Sequence, residues 1–392
     1  MEKINIIKND VCFIGWSWKK RTEMRSEILL YGLHKHTLSI ARINICYANS
    51  RQALGMRYSK HSYSLNYHIK FWCNLLPRIA YENIYAFFAL LSNKKTIKTS
   101  KVLFLSGYSN YIVFTVKIFA FLYQKPILFD AHWSLYYQRI IGTEDYPESS
   151  IYAKILFHID KLCAIYVDKY ITLSHSYVQT LSSDFNLKKE KFIPIYVGFY
   201  DAHDREDSDI HVKDIDIFLP SNNKLFHGIP ETIQLLSLLA KKKTNLKSVL
   251  TNSIFYKKRI KKLGLEKNIE ITDWLTNITK TEYLKGTKIV FWPMWKSRLN
   301  DIDFSTKMNE ALAYGKVLVA QNTPSARELL RDGVNAILID MNDLEWGAQK
   351  IIDILEDEEK RKKMEEESLK TYEKYLKPEI VVKELVDYIK KA

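Results

Sequence analysis

Short apolar runs alternate with longer helical patterns along the first half of this chain. The runs at residues 4–7, 38–45, 102–105, 126–129 and 170–173 predict strands. Ser174, just past the last of them, is placed to cap the helix that follows. Strands separated by helices pair in parallel, so the pattern predicts an α/β domain on a doubly wound sheet. Residues 191–200 close this unit, and the polar stretch 201–212 reads as a linker. The pattern then restarts, with strands expected at 215–219, 248–250, 269–272 and 289–292 and a helix over 230–242. Pro230 suits the first turn of that helix.

Residues 304–340 predict a helix, a strand, a second helix and a second strand. Ser305 and Thr306 open the first helix and Gly315 ends it. The first strand spans 317–320, the second helix 325–330 and the second strand 336–339. The tail from Leu344 is helical, with a charged, solvated run and a last helix over 379–391.

At 392 residues and 47% hydrophobic content, the chain is long enough for two cores. Only 12 Gly and 9 Pro occur, which excludes a disordered or fibrous chain. Cys12, Cys46, Cys73 and Cys163 are far apart with no C-x-x-C spacing, so neither zinc nor a disulfide framework is expected. The start shows no apolar run before a small-residue cleavage site, so no signal peptide is expected and a reducing cytoplasm fits.

The net charge of +14 is uneven. Residues 1–200 hold 26 Lys and Arg against 13 Asp and Glu, a net of +13, and the rest of the chain nets +1. Between Glu27 and Asp130 the only acid is Glu82, against 13 basic residues. Such a half points to an anionic partner: a membrane surface, a glycan or a nucleic acid. Two aromatic, apolar segments, 69–95 and 111–125, lie in that half, each broken by charge. They read either as helices lying in a membrane interface or as buried helices of the domain.

The motifs narrow the chemistry. No G-x-G-x-x-G, Walker loop, H-E-x-x-H or G-x-S-x-G is present. D-x-D occurs at 214–216 and 301–303, a common tripeptide from which no metal site is expected. The amide groups at a helix start suit a phosphate, and Ser305 and Thr306 open such a helix. Lys307 offers a cation to a diphosphate, and Glu310 a carboxylate to a ribose diol. The plain alternative is a solvent-facing i,i+3 ion pair.

Phe304, Ser305, Lys307, Glu310, Ala311, Ala313, Gly315, the run 317–320, Glu328, Gly333 and Asn335 fall in register over more than thirty residues without a gap. This stretch resembles the donor-site signature of family 4 glycosyltransferases of the GT-B fold. The resemblance implies two Rossmann-like doubly wound domains facing a central cleft. Residues 1–204 would bind the acceptor, 205–375 the nucleotide sugar, and 376–392 would cross back to the first domain. It also implies transfer with retention of configuration, catalytic roles for His132, Lys307 and Glu310, and donor contacts from Phe304, Ser305 and Thr306.

Departures from the pattern are equally specific. Ile302 stands where the family has the first Glu of a pair, with Asp301 and Asp303 beside it. In the loop after 215–219, Asn222 replaces the family's Arg and His227 its Lys, so Lys224 is the nearest fixed cation and Gly228 closes the loop. Asp273 and Trp274 fall near the base. His132, past a strand end, resembles a family His that touches the sugar. Trp133, Tyr136, Tyr137 and Arg139 follow it as acceptor candidates.

The function expected is therefore transfer from a UDP- or GDP-linked sugar to a glycan or lipid-linked acceptor in cell-envelope polysaccharide or glycolipid synthesis. No metal or other cofactor is required. An anionic membrane surface is the expected partner, with the protein cytoplasmic and peripheral at the inner face. A catalytically impaired relative that binds glycan or nucleotide is the alternative. No nucleic-acid-reading motif is present, so no nucleic-acid partner is expected.

Overall fold

A computed structural model describes residues 9–17, 24–46, 65–107, 109–132, 134–200, 212, 214–220, 227–273, 275–292 and 297–392, without the side chains of 65–74, 277 and 278. The strand expected at 4–7 lies outside these residues, and so do Asn222, Lys224, Trp133 and Trp274.

The first sheet holds β1 (Asn9–Ser17), β2 (Ile40–Cys46), β3 (Ser100–Leu105), β4 (Ile127–Asp130), β5 (Lys169–Thr172) and β6 (Phe192–Pro194). Its order is β2-β1-β3-β4-β5-β6, with every pair parallel. Side chains of β1 point alternately to two cores. Val11 and Phe13 enter one, Cys12 and Ile14 the other. A strand covered on both faces reads as one unbroken apolar run.

One face carries α1 (Met24–Lys35). The other carries α2 (Leu65–Ser92), α3 (Val113–Tyr123) and α4 (Ile151–Tyr166). Beyond β5, Ser174 caps α5 (His175–Phe185) by accepting the Tyr177 amide, as the sequence predicts.

The second sheet holds β7 (Ile215–Leu219), β8 (Ser248–Thr251), β9 (Ile269–Thr272), β10 (Thr287–Trp292), β11 (Val317–Gln321) and β12 (Ala336–Ile339). Its order is β12-β11-β10-β7-β8-β9, again all parallel. The order reverses between β7 and β10, the doubly wound pattern in which ligands lodge at the reversal. Its helices include α6 (Ile229–Lys242), α7 (Asn277–Gly286), α8 (Arg298–Ile302), α9 (Thr306–Ala313), α10 (Leu344–Glu356) and α11 (Glu358–Tyr375).

The second helix expected at 325–330 is instead a single 3-10 turn, Ala326–Glu328. Side chains take the backbone groups that would extend it. Thr323 Oγ1 accepts the Ala326 amide, and Asn335 accepts from the Arg331 amide while donating to the Leu329 carbonyl.

The chain ends in α12 (Pro378–Val381) and α13 (Lys383–Lys391), which return to the first sheet. Val382, Leu385 and Ile389 pack there with Val11, Leu29 and Leu33. Gly32 in α1 allows this approach, because a Cβ on it would stand 2.2 Å from the Pro378 carbonyl oxygen. Among the described residues no helix is long and apolar enough to cross a membrane.

Candidate active site

The two lobes meet along the strand ends that carry the candidate residues. Ser174 Oγ donates to the Ile302 carbonyl at 2.5 Å, and the Tyr196 ring meets Phe304 edge-on at 5.5 Å. The Gly198 amide donates to Asn309 Oδ1 at 3.2 Å, and Arg298 pairs with Glu148 at 2.5 Å. Glu328 reaches across to the start of α5. It accepts the His175 amide at 3.0 Å, the Ser176 amide and hydroxyl at 2.6 Å, and the Tyr196 hydroxyl at 2.7 Å.

On the second lobe, Ser305 caps α9 through its side chain and Phe304 is fully buried beneath. The Lys307 amide turns to Ser305 Oγ at 3.3 Å, and the Met308 amide to the Ser305 carbonyl at 3.0 Å. These two amides are spent inside the turn, so the tip offers an anion less backbone donation than the sequence implies. More of the task falls on side chains, with Thr306 half-buried at the tip.

Glu310 is not a surface residue. Its side chain is 2% exposed and is held by two lysines: Lys307, 3.4 Å away, and Lys280 of α7. The pair is therefore not the solvent-facing one that spacing alone describes. Burial by itself raises the Glu310 carboxyl. The Lys307 and Lys280 charges outweigh that effect and hold it below the ordinary value. Burial, with Lys280 nearby, lowers the Lys307 ammonium against the pull of Glu310. Two cations around one carboxylate leave the cluster a net positive charge. Lys307, 27% exposed against 14% for Lys280, is the member that faces outward.

At the reversal between β7 and β10 the described residues that follow the strands are His227, Gly228 and Asp273. His227 is buried, its ring 4.7 Å from that of Trp292 at the end of β10. Gly228 follows it at the start of α6, and Asp273 is exposed just past β9. Neither D-x-D is a free pair of acids. Asp216 is taken by Lys288 at 2.7 Å and by the Lys247 amide at 3.0 Å, and Asp303 is buried.

On the first lobe, His132 sits two residues beyond β4 with φ +29°, a left-handed backbone that an ordinary side chain adopts only under outside constraint. The constraint is visible on both sides. Ahead of it, Asp130 is fully buried and bound twice by Arg25 Nε at 2.9 Å, while Arg25 Nη1 donates to the Ile195 carbonyl at 3.0 Å. Behind it, buried Asp160 accepts Ser134 Oγ at 2.5 Å, the Tyr136 amide at 2.9 Å and Asn110 Nδ2 at 3.1 Å. Burial pushes the Asp160 carboxyl up to about 6 despite these bonds.

Tyr136, Tyr137 and Arg139 follow on this stretch, with Tyr137 bonded to Asp184 at 2.5 Å and Arg139 paired with Asp145. Ile302, in place of the family's first Glu, is buried at 4% exposure. His132 and the Glu310 cluster thus lie on opposite lobes. Lys280, Arg25 and Asp160 lie outside every motif, and Glu328, in register with the family signature, has inter-lobe partners that the signature does not give.

Residues 202–371 match the family described as Glycosyl transferases group 1. No curated protein sequence matches the chain. Among solved structures the chain is similar to Anabaena HepE, crystallised with UDP, at TM-score 0.65 and 14% identity, covering 97% of this chain and 100% of that one. A glycosyltransferase from Rickettsia africae is similar at TM-score 0.62 and 14% identity, covering 98% of each chain. Sucrose-phosphate synthase from Thermosynechococcus elongatus is similar at TM-score 0.68 and 10% identity, covering 97% of this chain and 98% of that one. The shared architecture is GT-B: two parallel six-stranded sheets with flanking helices. The group 1 match covers the lobe that contains α9, Glu310 and the β7–β10 reversal.

Proposed function

We propose that this chain is a retaining glycosyltransferase that moves a hexose from a UDP- or GDP-linked donor to a glycan or lipid-linked acceptor of the cell envelope. The observation that carries the reading is the buried Glu310 held by Lys307 and Lys280 beside the reversal of strand order. The group 1 match over that lobe supports it, as do the HepE structures with UDP, with UDP and glucose, and with UDP-glucose.

In this reading the donor diphosphate draws Lys307 from Glu310, and the freed carboxylate accepts the ribose diol. His227 and Gly228 border the phosphates, Asp273 borders the base, and Thr306 the α9 tip. Asn222, Lys224 and Trp274 complete the donor loops by resemblance alone. His132 faces the sugar from the other lobe. The acceptor hydroxyl attacks C1 on the face that the leaving phosphate vacates, and that phosphate takes its proton. The protein's share is to stabilise charge on the departing diphosphate. Two lysines supply positive charge there, so the reaction needs no metal. The enzyme works peripherally at the cytoplasmic face of a membrane.

Hydrolysis of a panel of nucleotide sugars tests this without an acceptor. Turnover of one donor, lowered about tenfold or more in Lys307→Ala, is the expected result. A non-catalytic nucleotide- or glycan-binding relative is the second reading, favoured by buried Ile302 where a carboxylate is otherwise expected. A UDP or GDP melting shift without hydrolysis of any donor would select it.

A further inference from the structure

Three neighbouring helices of the first lobe turn large apolar side chains to solvent. On α3, Phe114, Ile118, Phe121 and Leu122 are exposed, Phe121 at 79%. Their spacing places them on one helix face, while Val113, Val116, Phe119 and Ala120 fill the core behind. On α2, Tyr81, Ile84, Phe88 and Leu91 form a matching stripe with a shallow groove of about 300 Å³ beside it. On α4, Ile151, Leu162, Ile165 and Tyr166 continue it.

Aromatic contacts knit the stripes into one surface. Phe87 of α2 meets Phe119 of α3 edge-on at 5.5 Å, and Phe114 of α3 meets Tyr166 of α4 at 5.2 Å. Isolated exposed apolar residues are ordinary, but a contiguous field of them marks a contact surface.

Charge selects the occupant. From Asn83 to Phe129 there are six Lys and no Asp or Glu. Lys94, Lys95 and Lys98 follow the end of α2, all exposed, and Lys117 rises inside the α3 stripe, where a long side chain keeps its ammonium at the surface. A second copy docking by two-fold symmetry would set these lysines against themselves. An anionic bilayer answers both the apolar field and the basic rim.

We infer that α2, α3 and α4 form a membrane-docking face for an anionic bilayer, with Phe121 and Leu122 inserted among the acyl chains and Lys94 and Lys95 on the headgroups. This deepens, and for its acceptor rests on, the transfer reading above. The face reaches the rim of the cleft. Ile151, 73% exposed, lies three residues beyond Glu148, which pairs with Arg298 of the other lobe. A lipid-linked acceptor would keep its tail in the bilayer while its head entered between the lobes.

Flotation of the full chain with phosphatidylcholine vesicles, with and without roughly one-third phosphatidylglycerol, reads the docking. Binding to the anionic vesicles only, released by about 0.5 M salt, is expected. Phe121→Ser combined with Leu122→Ser should lower the vesicle partition about tenfold or more. Lys94→Glu combined with Lys95→Glu should do the same on anionic vesicles. Both pairs are exposed, and an unchanged melting temperature checks that the fold survives. Absence of binding to either vesicle, or binding untouched by both pairs, overturns the inference. A dimer that the Phe121 pair abolishes, with no vesicle binding, also overturns it and gives the face to a second copy. Vesicle binding by a chain that hydrolyses no nucleotide sugar would support the surface while the transfer reading failed.

Discussion

Glu328 of the second lobe accepts both the amide and the hydroxyl of Ser176, each at 2.6 Å, at the first turn of α5 in the first lobe. A carboxylate at a helix start satisfies unpaired amides and meets the positive end of the helix dipole. Here the helix and its cap come from different lobes, so the bond fixes their relative position. Glu328→Ala is expected to cost about 1–2 kcal/mol of stability, the usual loss on removing a cap. Hydrogen exchange at the His175 and Ser176 amides should speed up in the variant while the β5 amides keep their protection. Equal rates in both proteins would show that the bond holds nothing.

Lys307→Ala and Glu310→Ala should each lower donor turnover by about tenfold or more, the loss expected when charge stabilisation is removed. Neutralising Glu310 should also flatten the acid side of the stability profile. Glu310 has a folded value below its ordinary 4.5, so its contribution is present above that pH and is lost as pH falls through the folded value. Wild-type stability should therefore drop more steeply than that of Glu310→Gln below pH 4.5, read by urea melts.

Asp160 titrates in the opposite sense. Burial raises it from 3.8 to about 6, so between those values the folded chain keeps a proton that the unfolded chain has lost. Stability should fall as pH rises through that window, by at most about 1.4 kcal/mol per pH unit. Asp160→Asn removes that slope, measured as the difference between the two proteins' unfolding free energies. Because Asp160 anchors Ser134 and Tyr136 behind His132, the variant should raise KM for the acceptor more than for the donor.

Gly32→Ala should loosen the return of the chain end. Its new methyl would stand 2.2 Å from the Pro378 carbonyl oxygen, so α1 or α12 must shift. A loss of about 1–3 kcal/mol is expected, as for other overpacked contacts. Faster proteolysis after residue 377 would locate the damage.

Much of this architecture is written in the chain, and the exceptions have physical causes. The strands at Ile215–Leu219, Ile269–Thr272 and Ala336–Ile339 lie where their apolar runs stand between polar stretches. The strand at Asn9–Ser17 is not predicted, because the neighbouring apolar run at 4–7 offers itself as the first strand. The turn at Ala326–Glu328 has helical composition, yet Thr323 and Asn335 claim its backbone. In the site, Lys307 and Glu310 are legible because three residues on one helix bring them together. Lys280 is not, since thirty residues separate it from Glu310 and only the packing of α7 against the sheet joins them. Glu328 falls in register with a known pattern, but its partners belong to the other lobe, which no local pattern encodes.

Near Gly198 the outgoing and returning passages of the chain are sewn to each other. The Phe199 amide donates to the Leu376 carbonyl at 3.1 Å, and the Tyr372 hydroxyl donates to the Phe199 carbonyl at 3.1 Å. Gly198 itself has φ +72°, and a methyl there would press on the Leu376 oxygen at 3.1 Å. Two cords fastened at one knot allow the halves to pivot about it but stop them gliding past each other. A swing around that knot would have to part the carboxylate clasp on α5, and with it the Ser174–Ile302 and Arg298–Glu148 bonds that also join the halves.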